Sequence, residues 1–102
     1  MPDAVAATLF KNCGNVVWTV DTDINLTSNT QVALELESPA GTESAVVGSV
    51  SGDAVNGIIV VVTPALTFSS VGYWKLNSFV SFGTEHYFGE VFIVKVKEHP
   101  VP

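Results

Sequence analysis

Gln31-Val32-Ala33-Leu34-Glu35-Leu36-Glu37 alternates strictly, with Val32, Leu34 and Leu36 on one side and Gln31, Ala33, Glu35 and Glu37 on the other. A period of two is the signature of a strand with one face in a core and one in water. Ser38-Pro39-Ala40-Gly41-Thr42 follows. Proline presets φ at a corner and glycine accepts positive φ, so the segment predicts a tight, type II connection that makes a hairpin of 31–38 and 43–51.

Outward from that hairpin, short apolar runs are cut by turn chemistry at Asn12-Cys13-Gly14-Asn15, Thr27-Ser28-Asn29, Ser51-Gly52-Asp53, Asn56-Gly57, Ser69-Ser70-Val71-Gly72 and Phe82-Gly83-Thr84. Strands are expected near 4–10, 15–22, 31–38, 43–51, 57–63, 73–82 and 86–97. Val, Ile and Thr alone number 31, and no stretch repeats apolar residues at helical spacing over three turns behind a cap. The fold class that follows is all-β, an immunoglobulin-like antiparallel β-sandwich of about seven strands. A chain of 102 residues has room for one such domain, spanning 1–102.

Three strands carry further detail. Ile58-Ile59-Val60-Val61-Val62 is apolar on both faces, so it is either a central strand covered on both sides or one whose outer face meets another protein. In Tyr73-Trp74-Lys75-Leu76-Asn77, Trp74 and Leu76 point inward, and Trp74 is the expected anchor of the core. The last strand sets Phe92, Val94 and Val96 inward and Lys95 and Lys97 outward, with Gly89 placed to allow a bulge that resets the facing. The ends, Ala4-Val5-Ala6-Ala7 and His99-Pro100-Val101-Pro102, read as short extended tails.

Charge narrows the partners. Ten acids against four lysines leave −6, and arginine is absent. Nucleic acid, which needs a basic face, is excluded, and an anionic membrane surface is disfavoured. No apolar stretch nears the ~20 residues of a bilayer span, and Met1-Pro2-Asp3 lacks the positive start of a secretory signal, so the chain reads as soluble and unprocessed. Cys13, the sole cysteine, cannot form an intrachain disulfide and is assigned no role.

Asp21-Thr22-Asp23-Ile24-Asn25 matches the first half of a calcium loop, but Leu26 stands where glycine is required and Val32 where a bidentate Glu belongs. These residues read as strand-ending turn formers. Glu85-His86 with Glu90 is the one grouping of an imidazole with carboxylates, and it lacks a nucleophile and an oxyanion hole. His86 and His99 with Cys13 are at no zinc spacing. No phosphate-cradling glycine loop occurs, and Asn25-Leu26-Thr27 is a chance match to a glycosylation acceptor. Tyr73, Phe79 and Tyr87 could form a platform for a sugar ring, though such aromatics more often serve core or interface. No catalytic, cofactor-binding or metal residue is assigned.

Gly14-Asn15-Val16-Val17-Trp18-Thr19-Val20, Asp23-Ile24-Asn25-Leu26-Thr27, the stretch from Val32 through Thr42, and Val71-Gly72-Tyr73-Trp74-Lys75-Leu76 together resemble the small immunoglobulin-like structural proteins of tailed bacteriophages. The likeness extends over residues 9–96 and is nearest to the N-terminal domain of baseplate upper proteins and to short stand-alone virion proteins. It implies a non-enzymatic bacteriophage virion protein, made in the host cytoplasm, that docks in many copies on the head as decoration or on the tail or baseplate. A lone domain suits a short accessory protein at least as well as a baseplate component. The implied partners are other virion proteins and further copies of the chain, with the 4–10 arm or the two-sided 57–63 strand as contact surfaces and acidity keeping the free subunit soluble. The alternative is a carbohydrate or host-surface binding sandwich, and an enzyme built on Glu85, His86 and Glu90 is the remote third reading.

Overall fold

The structure, a computed structural model, describes residues 5–98. Ala4 and the tail from His99 lie outside the described residues. The described residues form two facing sheets from nine strands: β1 (Val5–Phe10), β2 (Val16–Asp21), β3 (Gln31–Glu37), β4 (Glu43–Val47), β5 (Ser49–Val50), β6 (Ile58–Thr63), β7 (Gly72–Phe82), β8 (Glu85–Phe88) and β9 (Phe92–Lys97). One sheet runs β1-β9-β7-β3-β4, with β8 also paired to β7, and the other runs β2-β6-β5. A single turn of 3-10 helix, Ala54–Asn56, precedes β6.

This strand order is immunoglobulin-like: β2, β6 and β5 take the B, E and D places, while β9, β7, β3 and β4 take G, F, C and C′. The pairing departs from a purely antiparallel plan at one edge, where β1 lies parallel to β9. Residues 5–10 are therefore a sheet strand and no free arm.

Nine strands stand where seven are predicted, because two of the predicted strands are each broken once. The run 43–51 changes sheets at Gly48, its first part pairing with β3 and its second with β6. A Cβ at Gly48 would lie 2.4 Å from Val61 Cγ2 and 2.6 Å from the Val60 carbonyl oxygen, so only glycine fits where the chain crosses. The run 86–97 breaks at the expected bulge. Phe88 faces Phe79 and Phe92 faces Leu76, so Gly89, Glu90 and Val91 stand opposite only Asn77 and Ser78. The extra residue reverses the facing: even-numbered residues point outward in β8 and inward in β9.

The hairpin after β3 is tight as predicted, but its turn type differs. The Gly41 amide donates to the Ser38 carbonyl and the Ser38 amide to the Thr42 carbonyl. Positive φ falls on Gly41 (91°) and not on Ala40, which rules out type II and gives a three-residue loop closed by a glycine bulge.

The core lies between the sheets. Val32, Leu34 and Leu36 of β3 meet Ile59 and Val61 of β6, Trp74, Leu76 and Val80 of β7, and Val94 and Val96 of β9. Trp74 is the anchor the sequence indicates: it is buried, its indole N–H donates to the Ser70 carbonyl at 2.9 Å, and it meets Phe68 edge-on at 5.0 Å. Phe68 in turn touches Trp18 of β2, whose indole N–H donates to the Thr63 hydroxyl. This chain of rings links the B and F strands without a covalent bridge. Phe68 and Leu26, both fully buried, come from loops and carry no periodic signal. Ala33, on the face expected to be wet, is only 2% exposed, lying in register between Phe79 and Val47.

Candidate interaction surfaces

The predicted chemical groupings separate in the fold. Glu85 and His86 are neighbours on β8 and so face opposite sides of it. The Tyr87 hydroxyl donates to Glu85 Oε2 at 2.8 Å, and that carboxylate, first by the hydrogen bond and then by its charge, holds the phenol above its ordinary range. His86 instead stacks on Phe79, with centroids 5.4 Å apart. Glu90 sits in the bulge, lining an open cleft with Asp21, Asp23 and Phe92.

The oxygens of the 21–25 stretch are used in the turn. Asp21 Oδ1 accepts from the Asp23 amide and Asn25 Oδ1 from the Thr27 amide, while Thr22 Oγ1 donates to the Gly57 carbonyl. Leu26, in the position a calcium loop gives to glycine, is buried in the core. Among the described residues, no group of three or more His, Cys, Asp or Glu side chains is placed to hold a metal ion. Cys13 is half-buried against the core as a free thiol.

The three aromatics Tyr73, Phe79 and Tyr87 do not make one platform. Tyr73 and Phe79 share the outer face of β7 but stand six residues apart, about 20 Å along a strand. Tyr87 is on the other face, against Phe82. What the fold does assemble is a cluster of Phe79, His86 and Phe88, the last 64% exposed and 5.3 Å from Phe79. Phe88 was not legible as its member, because the bulge that orients it depends on the strand across from it.

The two-sided strand is buried on one face and partly exposed on the other. β6 is the centre of the small sheet, with Ile59, Val61 and Thr63 buried beneath it. Its outer row is partly exposed, with Ile58 and Val60 half-buried and Val62 exposed. Val17, 64% exposed, lies in register beside Val62, 45% exposed, so the stripe widens onto β2. Thr19 and Ser49 flank Val60, and Asp21 at the end of the stripe supplies its charge. Together these residues make an apolar strip across the outer face of the small sheet.

Among the described residues no helix is long and apolar enough to cross a membrane. Compared with models of protein families and with curated proteins, the chain matches none.

Proposed function

We propose that the chain is a non-enzymatic virion protein of a tailed bacteriophage, docking in multiple copies on the head or on the tail or baseplate through the outer face of its small sheet. The observation that carries this reading is the apolar stripe of Val17, Ile58, Val60 and Val62, with Val17 and Val62 exposed and Ile58 and Val60 half-buried, on a sheet whose other face packs on the core. The resemblance over residues 9–96 and the immunoglobulin-like strand order are consistent with it. Val60→Asp puts a charge at the middle of the stripe without touching the interior. The expected outcome is a folded subunit, by circular dichroism and thermal melting, that is lost from particles when their protein content is quantified by mass spectrometry. Wild-type copy number in the variant particles would defeat the docking surface, and absence of the wild-type chain from particles would defeat the reading itself. Removal of residues 1–7 is the poorer probe, since it strips Val5, Ala6 and Ala7 from a paired strand.

The Phe79, His86 and Phe88 cluster favours a second reading, a carbohydrate or host-surface binding module. Glycan-array binding that disappears in Phe88→Ala would establish it in place of the first.

A further inference from the structure

The larger sheet ends at β4, which has β3 as its one neighbour among the described residues. The undescribed ends of the chain do not come near this edge. Glu43, Glu37, Lys75, Ile93 and Val5 form one row across the sheet, so Val5 and Glu43 stand at its two extremes, roughly 19 Å apart. Residues 1–4, fully extended from Val5, span about 14 Å at most. Residues 99–102 reach no further. They start from Glu98, just past β9, which runs from the Ile93 row away from β4 and leaves about 22 Å to cross.

Alternation sets what the edge offers. The Gly48 amide donates to the Val32 carbonyl, so the amides of Val46 and Ser44 also face β3, and those of Glu43, Ala45 and Val47 point to the free side. The same three residues carry their side chains on the outer face, in the rows of Glu37, Glu35 and Ala33. All three are exposed, Val47 at 65%. Natural edge strands are usually guarded by lysine, proline or an inward-pointing charge. β4 has none of these, and its single charge, Glu43, stands at its start on the outward face.

We propose that two copies of this chain pair through β4, antiparallel about a two-fold axis at Ala45, so that their larger sheets run on as one. In that arrangement the edge is complementary to itself. Ala45 meets the partner's Ala45, and Glu43 and Val47 meet the partner's Val47 and Glu43, each pair exchanging both of its backbone hydrogen bonds. Sliding the partner by two residues either way loses one of these pairs, which fixes the register. The side chain at the axis is only a methyl, and each Glu43 lays its methylenes on an exposed valine. The two Glu43 carboxylates are held about 14 Å apart, beyond the ~8 Å screening length of physiological salt.

The axis stands perpendicular to the sheets, so both small sheets, and with them both apolar stripes, lie on one side of the dimer. Where the virion reading holds, the dimer docks by two stripes at once. The pairing itself does not rest on that reading and is measured without particles, so either can fail while the other stands.

The test is sedimentation velocity of the purified full chain at low and high salt. A short strand pair is a small interface, so the expected result is a reversible monomer–dimer equilibrium, with dimer rising between about 10 μM and 1 mM. No larger species should form, because the two-fold contact uses the edge up. Salt should strengthen the dimer, since each copy carries −6. Ala45→Pro removes an outward donor and no ladder bond, and should be monomeric throughout. Ala45→Lys and Ala45→Glu leave the backbone untouched and set like charges opposite each other at the axis, so each alone should raise the dissociation constant about fivefold. Mixed in equal amounts they should dimerise at least as readily as the wild type, because a lysine then faces a glutamate. That recovery requires residue 45 to face its own counterpart, and a misfolded variant could not produce it. A wild-type monomer up to about 1 mM would overturn the proposal and leave the β4 edge to a strand of another protein. So would a ladder of longer species, a dimer that persists in Ala45→Pro or weakens with salt, or charge variants that do not recover on mixing.

Discussion

Gly48 and Gly89 occupy matching roles and are held in place by different neighbours. Each interrupts a long extended run, and each brings the chain so near another strand that a Cβ has no room. At Gly48 the obstacle is the Val60 carbonyl of a central strand together with the Val61 methyl, one fixed by the ladder and the other by the core. At Gly89 it is the Ser78 hydroxyl, 2.2 Å from the built Cβ, and a hydroxyl can rotate. The first glycine moves the chain from one sheet to the other, and the second only reverses which residues face in. A change of sheet is therefore anchored by rigid groups, and a change of facing by an adaptable one.

The comparison breaks most visibly at Gly48. Gly48→Ala forces the β4–β5 crossing away from β6 and is expected to cost about 3 kcal/mol, read as a lowered midpoint in urea unfolding. A loss under about 1 kcal/mol would mean that the crossing is not tightly seated. Gly89→Ala should cost less, about 1–2 kcal/mol, and most of that should return in the double variant Gly89→Ala with Ser78→Gly. Additive losses in the pair would show that the two residues do not touch. The smallest effect concerns the facing that the bulge sets. Glu85 and Tyr87 share a face of β8, and the carboxylate raises the phenol, so Glu85→Gln should bring the Tyr87 titration back down toward 10.0, followed by NMR or ultraviolet absorbance. The neutral phenol is the favoured form. Any stability it lends is thus present below the unfolded-state value and fades as pH rises through the folded one. An unchanged titration would place the two side chains apart.

Much of this was readable in the residues. The alternation at 31–37 gives the inward set Val32, Leu34 and Leu36, Trp74 was legible as the anchor, and Gly89 as a bulge. Less could be read where burial is decided by partners distant in sequence. Leu26 and Phe68 sit among turn residues, and their burial depends on contacts such as the Leu26 amide bonded to the Ala54 carbonyl. For the candidate surfaces, the two-sided strand 58–62 announced that something was unusual, but not which row would stay partly exposed. The aromatic trio failed because Tyr73 and Phe79 stand far apart along β7 and because side-chain facing reverses at the bulge, separating Tyr87 from Phe79 and bringing Phe88 to it.

Strand identity and facing are local properties, fixed by period-two alternation and by residues that can or cannot turn, and the amino-acid order settled them for most of this chain. Which sheet each strand joins and where a run must break are set by neighbours far apart in sequence. Those choices depend on the space left beside Val60 and Val61, on the hydroxyl of Ser78, and on strands that meet only when the two layers close.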